Sequence, residues 1–289
     1  VAPTYSNQMG SFDFQNSNPL DFTGVTLPNN SGTISKFSIT SVQVINFLPA
    51  YDTIPKDQQN GDSLKVQLTN VPDAVYARHI GATEDDKVVA YLVPNKSLKG
   101  QYDMFIAGPG GVKAPKNCSY MFMGYDNRQR EYCWGFYVDK ISLQALDTSN
   151  VTDMTGMFYE DEQLASLDLG DKFDTSCVTS MVSMFYSCRM LPSLDLSKFD
   201  TSQVEYMLAM FEGCSGLKSL DLSSFNTSNV KNMSGMFGKS VDNLSCYNLQ
   251  SLNLGDNFDT SRVTDMSGMF TGCSALQTLD LGDKFDTSS

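Results

Sequence analysis

A single histidine limits the chemistry open to this chain. His79 sits in VYARHIG with no second imidazole in the sequence, which removes metal sites and relays that need two. The spacings that announce catalysis are missing: there is no G-x-S-x-G, no H-x-x-x-H and no phosphate-binding loop. GPGG at Gly108–Gly111 has no following Lys-Ser/Thr and reads as a turn. The seven cysteines are Cys118, Cys133, Cys177, Cys188, Cys214, Cys246 and Cys273. Their odd number, without a C-x-x-C, argues against a zinc cluster and against a complete disulfide framework. No catalytic residue, metal or cofactor is expected, and the chain reads as a non-enzyme.

Two surface features remain that could recognise a partner. Asp168, Asp195, Asp221 and Asp280, with Asn253 among them, recur at one place in a repeated leucine phrase, and Ser166, Ser193, Ser219, Ser251 and Thr278 recur two residues before. Outward columns of this kind set like charges side by side, which a basic or hydroxylated partner, a cation, or Lys172, Lys198 and Lys284 would relieve. The second feature is a pair of insertions. Gly124–Gly135 carries Tyr125, Tyr132 and Trp134, residue types that anchor interfaces, and Lys239–Ser245 (KSVDNLS) lengthens one repeat. Insertions in repeat proteins gather on one side, often the binding side.

The elements that position these residues are repeats. DTSNVTDMTGMF at Asp147–Phe158 returns as DTSCVTSMVSMF, DTSQVEYMLAMF, NTSNVKNMSGMF and DTSRVTDMSGMF, with starts at 147, 174, 200, 226 and 259, and a DTSS fragment at 286. Because the last copy stops there, the chain is expected to be cut or to continue. A fixed period in this range predicts a solenoid. Ser-Leu-Asp-Leu phrases alternate as strands do. Val178, Met181, Met184, Phe185 and Cys188 then fall at offsets 0, 3, 6, 7 and 10, which predicts a short helix. Ser149, Ser176, Ser202, Ser228 and Ser261 stand where its N-cap belongs, Ser202–Glu205 spells a capping box, and Gly213 and Gly272 suit its exit. The methionines and the four cysteines preceding Leu191, Leu217, Leu249 and Leu276 read as core.

The expected fold class is therefore α/β, a leucine-rich-repeat-type solenoid over 110–289 with one parallel strand and one short helix per repeat. Residues 74–109, with VVAYLV and YDMFIAG flanking PNKSLKG, predict a β-hairpin cap. Residues 1–73 predict a small, mostly β region, with strands in Thr33–Ile45 and Leu64–Leu68. A formal net charge of −13 and a pI near 4.4 disfavour nucleic acid and anionic membrane surfaces. No stretch approaches the roughly 18 apolar residues of a membrane helix, and VAPTYSNQMGSF lacks the layout of a signal peptide. A monomer is expected.

FDTSCVTSMVSMFYSC, FNTSNVKNMSGMF and FDTSRVTDMSGMFTGC, with VVAYLV…YDMFIAGPGGVKAPKNCSYMF before them, resemble the BspA-like leucine-rich-repeat surface proteins of bacteria. The resemblance covers about residues 110–289. It implies a secreted or cell-surface-attached protein of a host-associated microbe, acting as an adhesin-like, non-covalent binder of host or matrix proteins or glycans. The alternative is a structural spacer that presents the N-terminal β region.

Overall fold

A computed structural model describes residues 6–11, 18–27, 32–50, 68–124, 135–238 and 245–288. The chain divides into two compact units: residues 1–115, 127–148 and 168–173 form the first, and residues 116–126, 149–167 and 174–289 the second.

The first unit is built on a sheet. Its strands are β1 (Ile39–Asn46), β2 (Tyr76–His79), β3 (Val89–Pro94), β4 (Tyr102–Gly108), β5 (Val112–Lys113), β6 (Lys140–Ser142) and β7 (Leu146–Asp147). Among these strands the sheet order is β2-β3-β4-β1-β6, with one further strand beyond β6, and β5 and β7 pair apart from it. β3 and β4 are antiparallel, Ala90 opposite Ile106, around the PNKSLKG turn that the alternation predicts. β1 runs parallel to both β4 and β6. Val89, Ala90, Tyr91 and Leu92 are all buried, so β3 is covered on both faces. Leu68, Ala77, Val89, Tyr91 and Ala107 form one cluster of that core. Leu64–Gln67 of the predicted LKVQL strand lie outside the described residues.

The second unit holds the repeats, and it overturns the α/β leucine-rich-repeat expectation. The described residues contain no α-helix. Strands are three residues long, as in β9 (Ser219–Asp221) and β10 (Ser251–Asn253), which pair in parallel, and β8 (Ser166–Asp168). Single parallel bridges link Asn117, Asp153, Ser180, Tyr206, Asn232 and Asp265 in series.

Backbone hydrogen bonding explains why helical spacing does not become a helix. The N–H groups of Met154, Gly156, Phe158 and Glu160 donate to the carbonyls of Ser180, Val182, Met184 and Tyr186 in the next repeat, at 3.0, 2.8, 2.9 and 2.7 Å. The N–H groups of Met157, Tyr159 and Asp161 close local turns onto Met154, Gly156 and Phe158. The following repeat does the same: Met181, Ser183, Phe185 and Ser187 donate onward to Tyr206, Leu208, Met210 and Glu212. An α-helix spends each amide inside itself, four residues back. Here every second amide joins the neighbouring repeat.

Left-handed residues aim the amides this way. One column with positive φ is Tyr120, Gly156, Ser183, Ala209, Gly235 and Gly268, at 57°, 57°, 53°, 54°, 62° and 66°. A second is Glu160, Ser187, Gly213 and Gly272. Each residue breaks the right-handed run that a helix requires. The apolar offsets still face inward, because two consecutive turns also bring positions 0, 3, 7 and 10 to one side. Val178, Met181, Met184, Phe185 and Cys188 are all 0% exposed. Phe122, Phe158, Phe185, Phe211, Phe237 and Phe270 form a stacked column with successive centroids 6.0, 5.5, 5.7, 5.8 and 5.4 Å apart. That is the offset-stacking range for aromatic rings.

Candidate functional site

Each acidic column residue is exposed, and each does the same local work. Asp168 accepts the N–H of Gly170, Asp195 that of Ser197, Asp221 that of Ser223, Asn253 that of Gly255 and Asp280 that of Gly282, at 2.9–3.1 Å. These are Asx turns, in which a short acid or amide bonds the backbone two residues on. Further contacts differ along the column. Gln144 Nε2 donates to Asp168 at 2.7 Å, and Asn253 Nδ2 donates to Asp221 at 3.1 Å. The Ser197 hydroxyl, then the Ser197 amide, holds Asp195 below the ordinary carboxylate value, and Ser223 does the same for Asp221. The carboxylates thus close turns with one oxygen and present a polar face. Tyr125, Tyr132 and Trp134, like residues 239–244 of the other insertion, lie outside the described residues.

The DTS phrase contains a second Asx turn: Ser176, Ser202, Ser228 and Ser261 donate their amides to Asp174, Asp200, Asn226 and Asp259. These serines cap no helix. They are the receiving ends of turns closed by the Asp or Asn two residues earlier. Glu205 of the expected capping box instead pairs with Lys231 of the next repeat.

The threonine of DTS, which the sequence suggests only as a turn residue, carries the most specific contact in the repeat. Thr175, Thr201, Thr227 and Thr260 are at most 1% exposed. Their hydroxyls donate to the carbonyls of Asp200, Asn226, Asp259 and Asp286, each one repeat on, at 2.8–2.9 Å. Three also accept the amide of the residue to which they donate: Asp200 to Thr175 at 2.9 Å, Asn226 to Thr201 at 2.8 Å and Asp286 to Thr260 at 2.6 Å. A hydroxyl can give one bond and take another, so Thr175, Thr201 and Thr260 are two-way rungs between repeats, and Thr227 is a one-way rung that donates to the Asp259 carbonyl. Its recurrence beside each DTS serine was the signal in the sequence.

Thiols make a third column. Cys188, Cys214 and Cys246 donate to the carbonyls of Phe158, Phe185 and Phe211 one repeat back, at 3.1, 3.0 and 3.1 Å. All three are free and buried, and burial pushes Cys214 up to about 12. They lack thiolate character at neutral pH and serve the core.

An exposed aromatic pair lies in the first unit. Phe37 and Tyr137 are 48% and 44% exposed and meet edge to face, with centroids 5.1 Å apart. Lys36 Nζ is 5.3 Å from the Phe37 ring centroid. A depression lined mainly by apolar groups, among them Leu20, Phe22, Ile34 and Ile39, also includes Lys36 and Phe136, the chain neighbours of the pair. His79 is tied to the Asp86 carbonyl at 2.7 Å. Among the described residues there is no group of three or more potential metal ligands, and no helix long and apolar enough to cross a membrane.

The second unit therefore defines a class of repeat protein built from stacked turns, joined by backbone bridges and by threonine, thiol and phenylalanine columns. The chain belongs to the family described as Mycoplasma protein of unknown function, DUF285, whose model matches residues 116–248 and 243–289. No curated protein and no solved structure matches it.

Proposed function

We propose that this is an extracellular bacterial binding protein acting non-covalently on a host or matrix protein or glycan. In this reading the first unit recognises the partner and the repeats serve as a rigid scaffold. The Phe37–Tyr137 pair carries the proposal. Two large aromatic side chains, each about half exposed and held edge to face beside a mostly apolar depression, suit a sugar ring or an apolar side chain. In the repeats, by contrast, Thr, Cys and Phe are absorbed by contacts between repeats, and one oxygen of each column carboxylate by its Asx turn. Resemblance to BspA-like surface proteins supports the placement outside the cell.

A binding screen of the full chain against matrix proteins and glycans tests this, with two substitution sets. Phe37→Ala with Tyr137→Ala is expected to abolish the captured interaction. Asp195→Asn with Asp221→Asn and Asp280→Asn, which keeps the Asx turns and removes the charge, is expected to leave it intact. The reverse pattern would place recognition on the repeat face and contradict the proposal.

A further inference from the structure

One rung of the thiol column is not a thiol. Cys188, Cys214, Cys246 and Cys273 each precede a leucine by three residues, and one repeat earlier that place is held by Asp161, three before Leu164. Asp161 is 2% exposed, and neither carboxylate oxygen has a hydrogen-bond partner among the described residues. At the same place in the later repeats, a side-chain hydrogen is donated to the phenylalanine carbonyl one repeat back. An ionised carboxylate has no hydrogen to donate; a carboxylic acid has one.

The surroundings offer no compensating charge among the described residues. From the next repeat the Cys188 thiol faces Asp161, raised first by burial, then by Cys214 and by Asp161 itself. Gly124 closes on it so tightly that a Cβ there would stand 2.6 Å from the Asp161 Cα. Glu160 and Glu162 flank it in the chain, and the nearby cation, Arg189, is engaged by Glu162 at 3.4 Å and by the Ser187 hydroxyl at 3.0 Å. Burial pushes the Asp161 carboxyl well above the ordinary value of 3.8.

We propose that Asp161 is a proton-dependent latch: its rung stays closed while the carboxyl is protonated and opens ahead of the other repeats once it ionises. Ionised in place, it is a buried charge without a partner, a state relieved only by hydration or by opening. One proton separates the closed form from the open one. The local opening constant therefore rises up to about tenfold per pH unit, from the ordinary carboxylate value to the folded-state value, and is flat beyond it. Cysteine at this place would not titrate in that window.

Amide hydrogen exchange of the full chain between about pH 4.5 and 8, corrected for intrinsic exchange, tests the latch. The expected result is that protection of the Phe158, Glu160 and Asp161 amides falls with pH relative to that of Ala209 and Phe211. In Asp161→Cys, and in the uncharged Asp161→Asn, that difference is expected to vanish. Parallel behaviour of both amide sets in the wild-type chain would overturn the proposal, as would a slope retained in either variant.

Discussion

At the scale of single residues, the repeat divides its polar work between side chains that would look interchangeable on a surface. Thr201 is 0% exposed and both donates to and accepts from Asn226. Thr201→Val keeps the shape but orphans the half-buried carbonyl and amide of Asn226, which costs about 1–3 kcal/mol. Urea denaturation should report that loss, while Thr201→Ser retains most of the stability. Asp200 is exposed and closes one turn with the Ser202 amide at 2.9 Å. Asp200→Ala is expected to cost about 1 kcal/mol and Asp200→Asn close to nothing, since the amide oxygen accepts the same bond. Cys177 is exposed, whereas Cys188, Cys214 and Cys246 are buried. Peptide-resolved alkylation in native buffer should label Cys177 and spare the other three until the chain unfolds.

At the scale of the element, the turn run replaces the helix, and left-handed residues decide this. Ser183 sits at φ 53° in a column that elsewhere holds Gly156, Gly235 and Gly268. A non-glycine residue there costs about 1–2 kcal/mol, more than the roughly 0.5–1 kcal/mol that glycine adds by freeing the unfolded chain. Ser183→Gly is therefore expected to stabilise by about 0.5 kcal/mol and Gly235→Ala to destabilise by about 1 kcal/mol, both read from thermal unfolding. The same column shows what was legible beforehand. The repeat, its inward residues and the β3–β4 hairpin follow from period and alternation, because burial obeys both. The helix was misread because offsets 0, 3, 7 and 10 fit two turns as well as a helix. The glycines inside MTGMF and MSGMF, costly in a helix by about 1 kcal/mol each, were the contrary signal. The Asp column was legible as outward-facing, but its turn bonding was not, since an acid two residues before Ser or Gly reads equally as solvated charge.

For the molecule as a whole, the repeat carboxylates give stability a definite pH dependence. Side-chain and amide bonds from Ser197, Ser202 and Ser261 hold Asp195, Asp200 and Asp259 below the ordinary value of 3.8. A carboxyl lowered in the folded state stabilises fully above its unfolded value and loses that contribution as pH falls through its folded value. Unfolding midpoints should therefore drop below about pH 4, opposite in direction to the Asp161 latch. The central claim is that repeats are joined through backbone amides which a helix would have kept to itself. Through-hydrogen-bond scalar couplings between amide nitrogens and carbonyl carbons, measured by NMR on isotope-labelled protein, test it most directly. Met207 N–H donates to the Asn232 carbonyl at 3.0 Å, so the predicted correlation is Met207 to Asn232. A correlation from Met207 to Gln203, four residues back, would show a helix and contradict the account.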